Sequence, residues 1–148
     1  MLSRLAKILI FGLAPLMAGA LVLPAQSMAE DKVVTGQVLY RERVALPPDA
    51  VLTVQLIEEF PVGEPSAIIG QQVIPKAGQV PIKFEVHFDP VAIRPEATYL
   101  LEANISVNHT LWFENDSRYE IDPLTAGPQT LVLEMLKKPG AEDSSKGP

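Results

Sequence analysis

Between Ile82 and Phe88 the chain reads IKFEVHF. Ile82, Phe84, Val86 and Phe88 alternate with Lys83, Glu85 and His87 without a break. Apolar residues at every second position give an extended segment one apolar face and one wet face. An amphipathic helix would need spacings of three and four. The same period of two recurs on both sides of this stretch. Upstream, Val33 to Val44 places Val34, Gly36, Val38 and Tyr40 on one face, and Ala50 to Glu58 does so with Leu52, Val54 and Leu56. AIIGQQVI, Ala67 to Ile74, fits either phase. Downstream, Ala97 to Val107 presents Tyr99, Leu101, Ala103, Ile105 and Val107. Leu111 to Ile121 starts with Leu111 and Phe113 inward, and Gln129 to Lys137 offers Leu131, Leu133 and Met135. Proline cannot donate to a ladder, and here it falls between these segments rather than within them. The expectation is an all-β fold, a single antiparallel β-sandwich of about seven strands.

The connections read as turns. In RERVALPPDAVLTVQLIE (Arg41 to Glu58), Pro47 and Pro48 fix φ and withhold donors, and Asp49 can bond its nearby backbone. This is a stiff corner between the first two strands rather than a binding loop. DPVAIRPE (Asp89 to Glu96) is a compact connection with room for one helical turn, and NHT (Asn108 to Thr110) turns the chain.

The two ends are set apart by composition. Residues 1–29 carry Arg4 and Lys7, then the apolar run ILIFGLAPLMAGALVL, then PAQSMA. That is the layout of a secretory signal peptide, with cleavage expected after Ala29. The apolar run is shorter than the ~20 residues of a spanning helix, and Pro15 interrupts it. Residues 138–148 form a polar tail too poor in apolar residues to order itself. One domain, residues 30–137, remains. The formal charge of −6 becomes −8 once Arg4 and Lys7 leave. Such an acidic domain lacks the basic surface that nucleic acid or anionic headgroups require. The absence of cysteine excludes disulfides, thiol chemistry, thiolate metal sites and a lipidated cysteine in this sequence.

Few residues suggest chemistry. Glu85, His87 and Asp89 share one parity, as three metal ligands would. Same-face neighbours on a strand lie roughly 6.6 Å apart, however, and a solvated face is the expectation. His109 belongs to a turn. No nucleophile, base and orienter assemble, and there is no phosphate-cradling glycine loop. No catalytic, cofactor or metal residues are assigned, and no enzyme is expected. Asn104, Asn108 and Asn115 each begin an N-x-[ST] triplet, read here as chance. Leu39, Val51, Leu100, Trp112, Val132 and Leu136 take outward parity. Leu39, Leu100 and Trp112 are the candidate partner surface.

VTGQVLYRERVALPPDAVLTVQL followed by PIKFEVHFDPVAIRPEATYLLEANISV resembles the YbaY/YscW family of small envelope proteins of Gram-negative bacteria. The most specific parts are G-x-V-x-x-R-x-x-x-L-P-P-D-A-V-L-T-V-x-L and F-D-P-x-x-I-x-P, within a resemblance spanning Val33 to Leu136. It implies a compact β-sandwich without enzymatic activity. Its YscW branch comprises pilotins, lipoproteins that bind the C-terminal segment of a type III secretion secretin. Its YbaY branch comprises lipoproteins of largely undefined role, and ALPPDAVLTV fits that branch better. The missing lipidation cysteine is a departure from both. The expected function is a periplasmic or secreted binding or chaperone-like factor for an envelope protein, without a lipid anchor. The alternative expectation is a module that binds a small ligand, lipid or glycan. A long uncovered edge strand would favour a protein partner, and a deep apolar cavity would favour a small ligand.

Overall fold

The computed structural model describes residues 30–136. The expected signal peptide and polar tail lie outside the described residues. The elements are β1 (Lys32–Tyr40), β2 (Val51–Glu59), β3 (Ala67–Ile74), β4 (Ile82–Phe88), a 3-10 turn (Pro90–Ala92), β5 (Thr98–Val107), β6 (Thr110–Asn115), β7 (Glu120–Ile121) and β8 (Gln129–Met135). IKFEVHF is β4, and its burial alternates as its sequence does.

The all-β expectation is met, but the two-sheet sandwich is not. One continuous sheet runs β3-β2-β5-β6-β8-β1-β4, with the short β7 also paired to β5. It curls until its end strands meet, giving a nearly closed barrel. Period two reports only that one face of each strand is buried, and sandwich and barrel both satisfy that. The decisive contact is β1 lying parallel to β8, with Gly36 opposite Gln129 and Tyr40 opposite Leu133. This joins the first and last strands. The remaining pairings are antiparallel.

The inward faces fill the barrel. Phe84, Phe113, Leu52, Leu56, Leu101, Ile105, Leu131 and Leu133 are all essentially removed from solvent. Each such side chain contributes about 1.5–3 kcal/mol of transfer free energy. Tyr40 stacks on Phe113 with centroids 4.3 Å apart, and its hydroxyl donates to Val44 O at 2.6 Å. That bond ties the end of β1 to the corner that follows. The corner itself is a turn closed by Ala50 N donating to Pro47 O at 3.1 Å.

Two bulges account for the facing that period two could not give. Between β2 and β3, Leu56 pairs with Gly70 and Ile57 with Ile68, so Ile69 is an extra residue. The phase resets there, and both Ile69 and Ile74 pack against the core. AIIGQQVI fits either phase because it contains both. Between β5 and β6, Ile105 pairs with Phe113 and Ser106 with Leu111, leaving Trp112 as the extra residue. Leu111, expected inward, is consequently exposed. The expected sixth strand is also broken in two, as β6 and β7.

Candidate functional site

Three side-chain carboxamides take the place of backbone hydrogen-bond partners, two of them at gaps in the sheet and one at the corner between loops. Where β6 departs from β5, Asn115 Oδ1 accepts from Ala103 N at 2.6 Å and its Nδ2 donates to Leu101 O at 2.9 Å. Tyr119 O then accepts from Leu101 N as the chain returns to form β7. At the corner, Gln79 accepts from Leu46 N and donates to Leu46 O, both at 2.9 Å. A carboxamide carries the same donor and acceptor as a peptide group, so each side chain can stand in for a backbone partner.

The third carboxamide, that of Gln72, stands at the seam between β3 and β4, the two ends of the sheet. No ladder joins them. Gln72 Oε1 accepts from Glu85 N at 2.6 Å, and its Nε2 makes no hydrogen bond within the described residues. One step along, β3 lies hard against β4. A Cβ on Gly70 would sit 2.6 Å from His87 O and 2.8 Å from Val86 Cγ1. Glycine is what permits this approach. A strand-interior glycine in AIIGQQVI was the available sequence signal for it.

The candidate partner surface does not form as expected. Leu100 is 3 % exposed. It lies in the register between Ile57 and Glu120, and Arg118 passes over this region to bond Glu59 at 2.7 Å and Glu120 at 2.9 Å. Those two bonds hold the guanidinium protonated above its usual range. Trp112 is half-buried against the core because the bulge redirects it. Leu39 is half-buried on β1 opposite Val132. The three stand on separate strands, and parity failed for Leu100 and Trp112 because outer faces can be covered and bulges change phase.

The other polar candidates take structural places. Glu85 and His87 lie 3.8 Å apart, both well exposed, where solvent screens their attraction. Asp89 does not join them, because its carboxylate caps the 3-10 turn through Val91 N. Among the described residues no three His, Cys, Asp or Glu converge as metal ligands. Asn108 and His109 have φ of 50° and 64° and form the two-residue turn between Val107 and Thr110. Both central residues at positive φ mark a type I′ hairpin turn.

One buried polar pair was not foreseen. Glu58 is inward and 5 % exposed, and Tyr99 Oη donates to it at 2.7 Å while accepting from Arg94 N. Burial, followed by the Glu58 interaction, raises the Tyr99 pKa, partly offset by the Arg94 amide. Tyr40 is likewise raised by burial and by Glu42.

Residues 29–135 match the family described as type III secretion system lipoprotein chaperone (YscW). The chain belongs to the YscW family. A relative within reach of this YscW chain is the uncharacterized lipoprotein YbaY of Escherichia coli (strain K12). It is 42% identical over 85 residues, which is 57% of this chain and 45% of YbaY. The chain thus spans less than half the length of that curated relative. Among solved structures, an alternative pilotin from the type II secretion system of Vibrio cholerae superposes with a TM-score of 0.67 at 32% identity. The match covers 73% of this YscW-family chain and 99% of the pilotin.

Proposed function

We propose that this YscW-family chain is a non-enzymatic, periplasmic chaperone-like protein that binds an envelope protein, and that the partner is the C-terminal segment of a secretin. The observation that carries this reading is the pilotin match, since nearly the whole of that solved chain is reproduced by this one. The barrel architecture agrees with it. The interior is filled by residues such as Phe84, Phe113 and Leu101, and the grooves lie at the surface. That filling favours a polypeptide partner over the small-ligand alternative.

We further propose that residues 1–29 direct export and are removed after Ala29, and that residues 138–148 are a polar tail. Mass analysis of the protein from a periplasmic fraction is expected to give a chain beginning at Glu30. For the partner, a labelled synthetic peptide of a secretin C-terminal segment is titrated with the exported protein and followed by fluorescence anisotropy. Saturable binding in the micromolar range or tighter is expected, on the order of −8 kcal/mol. No saturation at about 1 mM, the level of roughly −4 kcal/mol, overturns the reading.

A further inference from the structure

We propose that the barrel end where β1 begins is the docking site, and that its groove takes the last residues of the partner polypeptide, with apolar side chains in the groove and the terminal carboxylate on Arg94. This rests on the reading of the chain as a binder of a C-terminal segment and assigns that reading a place in the fold.

Strand direction brings three loops together. β2 ends and β3 begins, β4 ends and β5 begins, and β7 ends and β8 begins at the end of the barrel where β1 starts. Apolar side chains stand in solvent on all three. Val62 in the first loop and Val91 in the second are the most exposed large apolar residues among those described, at 86% and 79%, and Leu124 in the third is exposed too. Between the second and third loops lies a groove of about 540 Å³, walled by Ile93, Pro95, Ile121, Pro123 and Leu124. That volume is the size of a small-ligand site, so it holds the end of a chain rather than a long segment.

Charge specifies the occupant further. Arg94 lines the same groove, with its guanidinium 5.0 Å from the centre of the Phe60 ring. The carboxylates beside it are already engaged. Glu120 bonds Arg118 at 2.9 Å, and Asp122 accepts from Leu124 N at 3.0 Å. Arg94 makes no ion pair with the described residues. A second cation, Lys32, reaches the rim and donates to Leu124 O at 3.4 Å. In a chain of net charge −6, such cations beside an apolar groove complement an apolar ligand that carries a carboxylate. The C-terminus of a polypeptide is that ligand.

The loop that carries Arg94 is anchored from the interior. Tyr99 Oη accepts from Arg94 N and donates to Glu58, both at 2.7 Å, and Ala97 N closes the turn on Arg94 O at 3.3 Å. Burying the Glu58 carboxylate costs stability that a plain apolar core would not lose. What the buried pair supplies is a fixed backbone under the cation of the groove.

The test uses the same secretin C-terminal peptide, labelled at its N-terminus and ending in a free acid. In Arg94→Gln its Kd is expected to rise about tenfold, the low end for a hydrogen bond to a charged group. Amidating the peptide's C-terminus is expected to cost the same tenfold with the unmodified protein and nothing further with Arg94→Gln. Leu124→Asp is expected to raise Kd at least tenfold, while Val73→Asp, exposed on β3 toward the other end, leaves it unchanged. An unchanged Kd in Arg94→Gln or Leu124→Asp, an amidated peptide that binds as tightly as the free acid, or an equal loss in Val73→Asp overturns the groove while the partner reading stands. Failure of the unmodified protein to bind the free-acid peptide removes both.

Discussion

Gly36→Ala tests whether the barrel depends on close backbone approach between β1 and its neighbours. Gly36 lies between Phe84 of β4 and Gln129 of β8. A Cβ there would sit 2.2 Å from Gln129 O, 2.9 Å from Gln129 C and 2.8 Å from Phe84 Cζ. Ordinary contact begins at 3.4 Å, so the Gln129 carbonyl must retreat by about 1.2 Å. The phenyl ring can swing, but the carbonyl is backbone at the first rung of the parallel β1–β8 pairing. Overpacking of this kind costs about 1–3 kcal/mol, and one ladder hydrogen bond adds about 1. Restricting the unfolded chain returns about 0.4–1 kcal/mol. The net expectation is a loss of about 1–3.5 kcal/mol, a sizeable part of the stability of a domain this size. Urea unfolding followed by the fluorescence of Trp112, the single tryptophan, measures it. At a slope of about 1.5 kcal/mol per molar urea, the midpoint falls by about 1–2 M. Gly127→Ala is the control, since a Cβ there meets nothing within 4 Å, and it is expected to be neutral or slightly stabilising. If Gly36→Ala unfolds at the same midpoint as the control, the close-approach argument is wrong.

Three further outcomes follow from the same contacts. Asn115→Ala leaves Ala103 N and Leu101 O without their partner, and a loss of about 2–3 kcal/mol is expected in the same urea assay. His109→Gly relieves the positive φ at the second turn position and is expected to stabilise by about 1 kcal/mol, read as a higher thermal midpoint. Tyr40 and Tyr99 both have pKa values raised above 10.0 in the folded state. The neutral phenols therefore contribute stability that is complete below pH 10 and declines as pH rises through the folded values. Urea midpoints measured from pH 8 to 11 are expected to fall above 10, with a shallower fall in Tyr40→Phe; a fall of equal depth in that variant counts against the assignment.

The period of two in IKFEVHF and its neighbours determined strand identity, most core residues and the all-β class, because alternation is a local consequence of backbone geometry. β3 and β4 matched their expected ranges for the same reason. The corner at Pro47–Pro48 was equally local, since fixed φ and absent donors act within a few residues. The family was legible too, in motifs built from these local features. What tertiary structure alone decided is non-local. Alternation does not say which strand pairs with which, so the parallel β1–β8 contact, and with it a barrel in place of a sandwich, lay beyond reach. Bulges shift phase through the partner strand, which is why Leu111 turned out and Trp112 turned toward the core. Leu100 lies between Ile57 of β2 and Glu120 of β7 and is buried there, a result of pairings its own segment does not encode. The seam that Gln72 bridges exists only because the sheet curls far enough for its two ends to meet, and Gly70 offers no side chain to keep them apart.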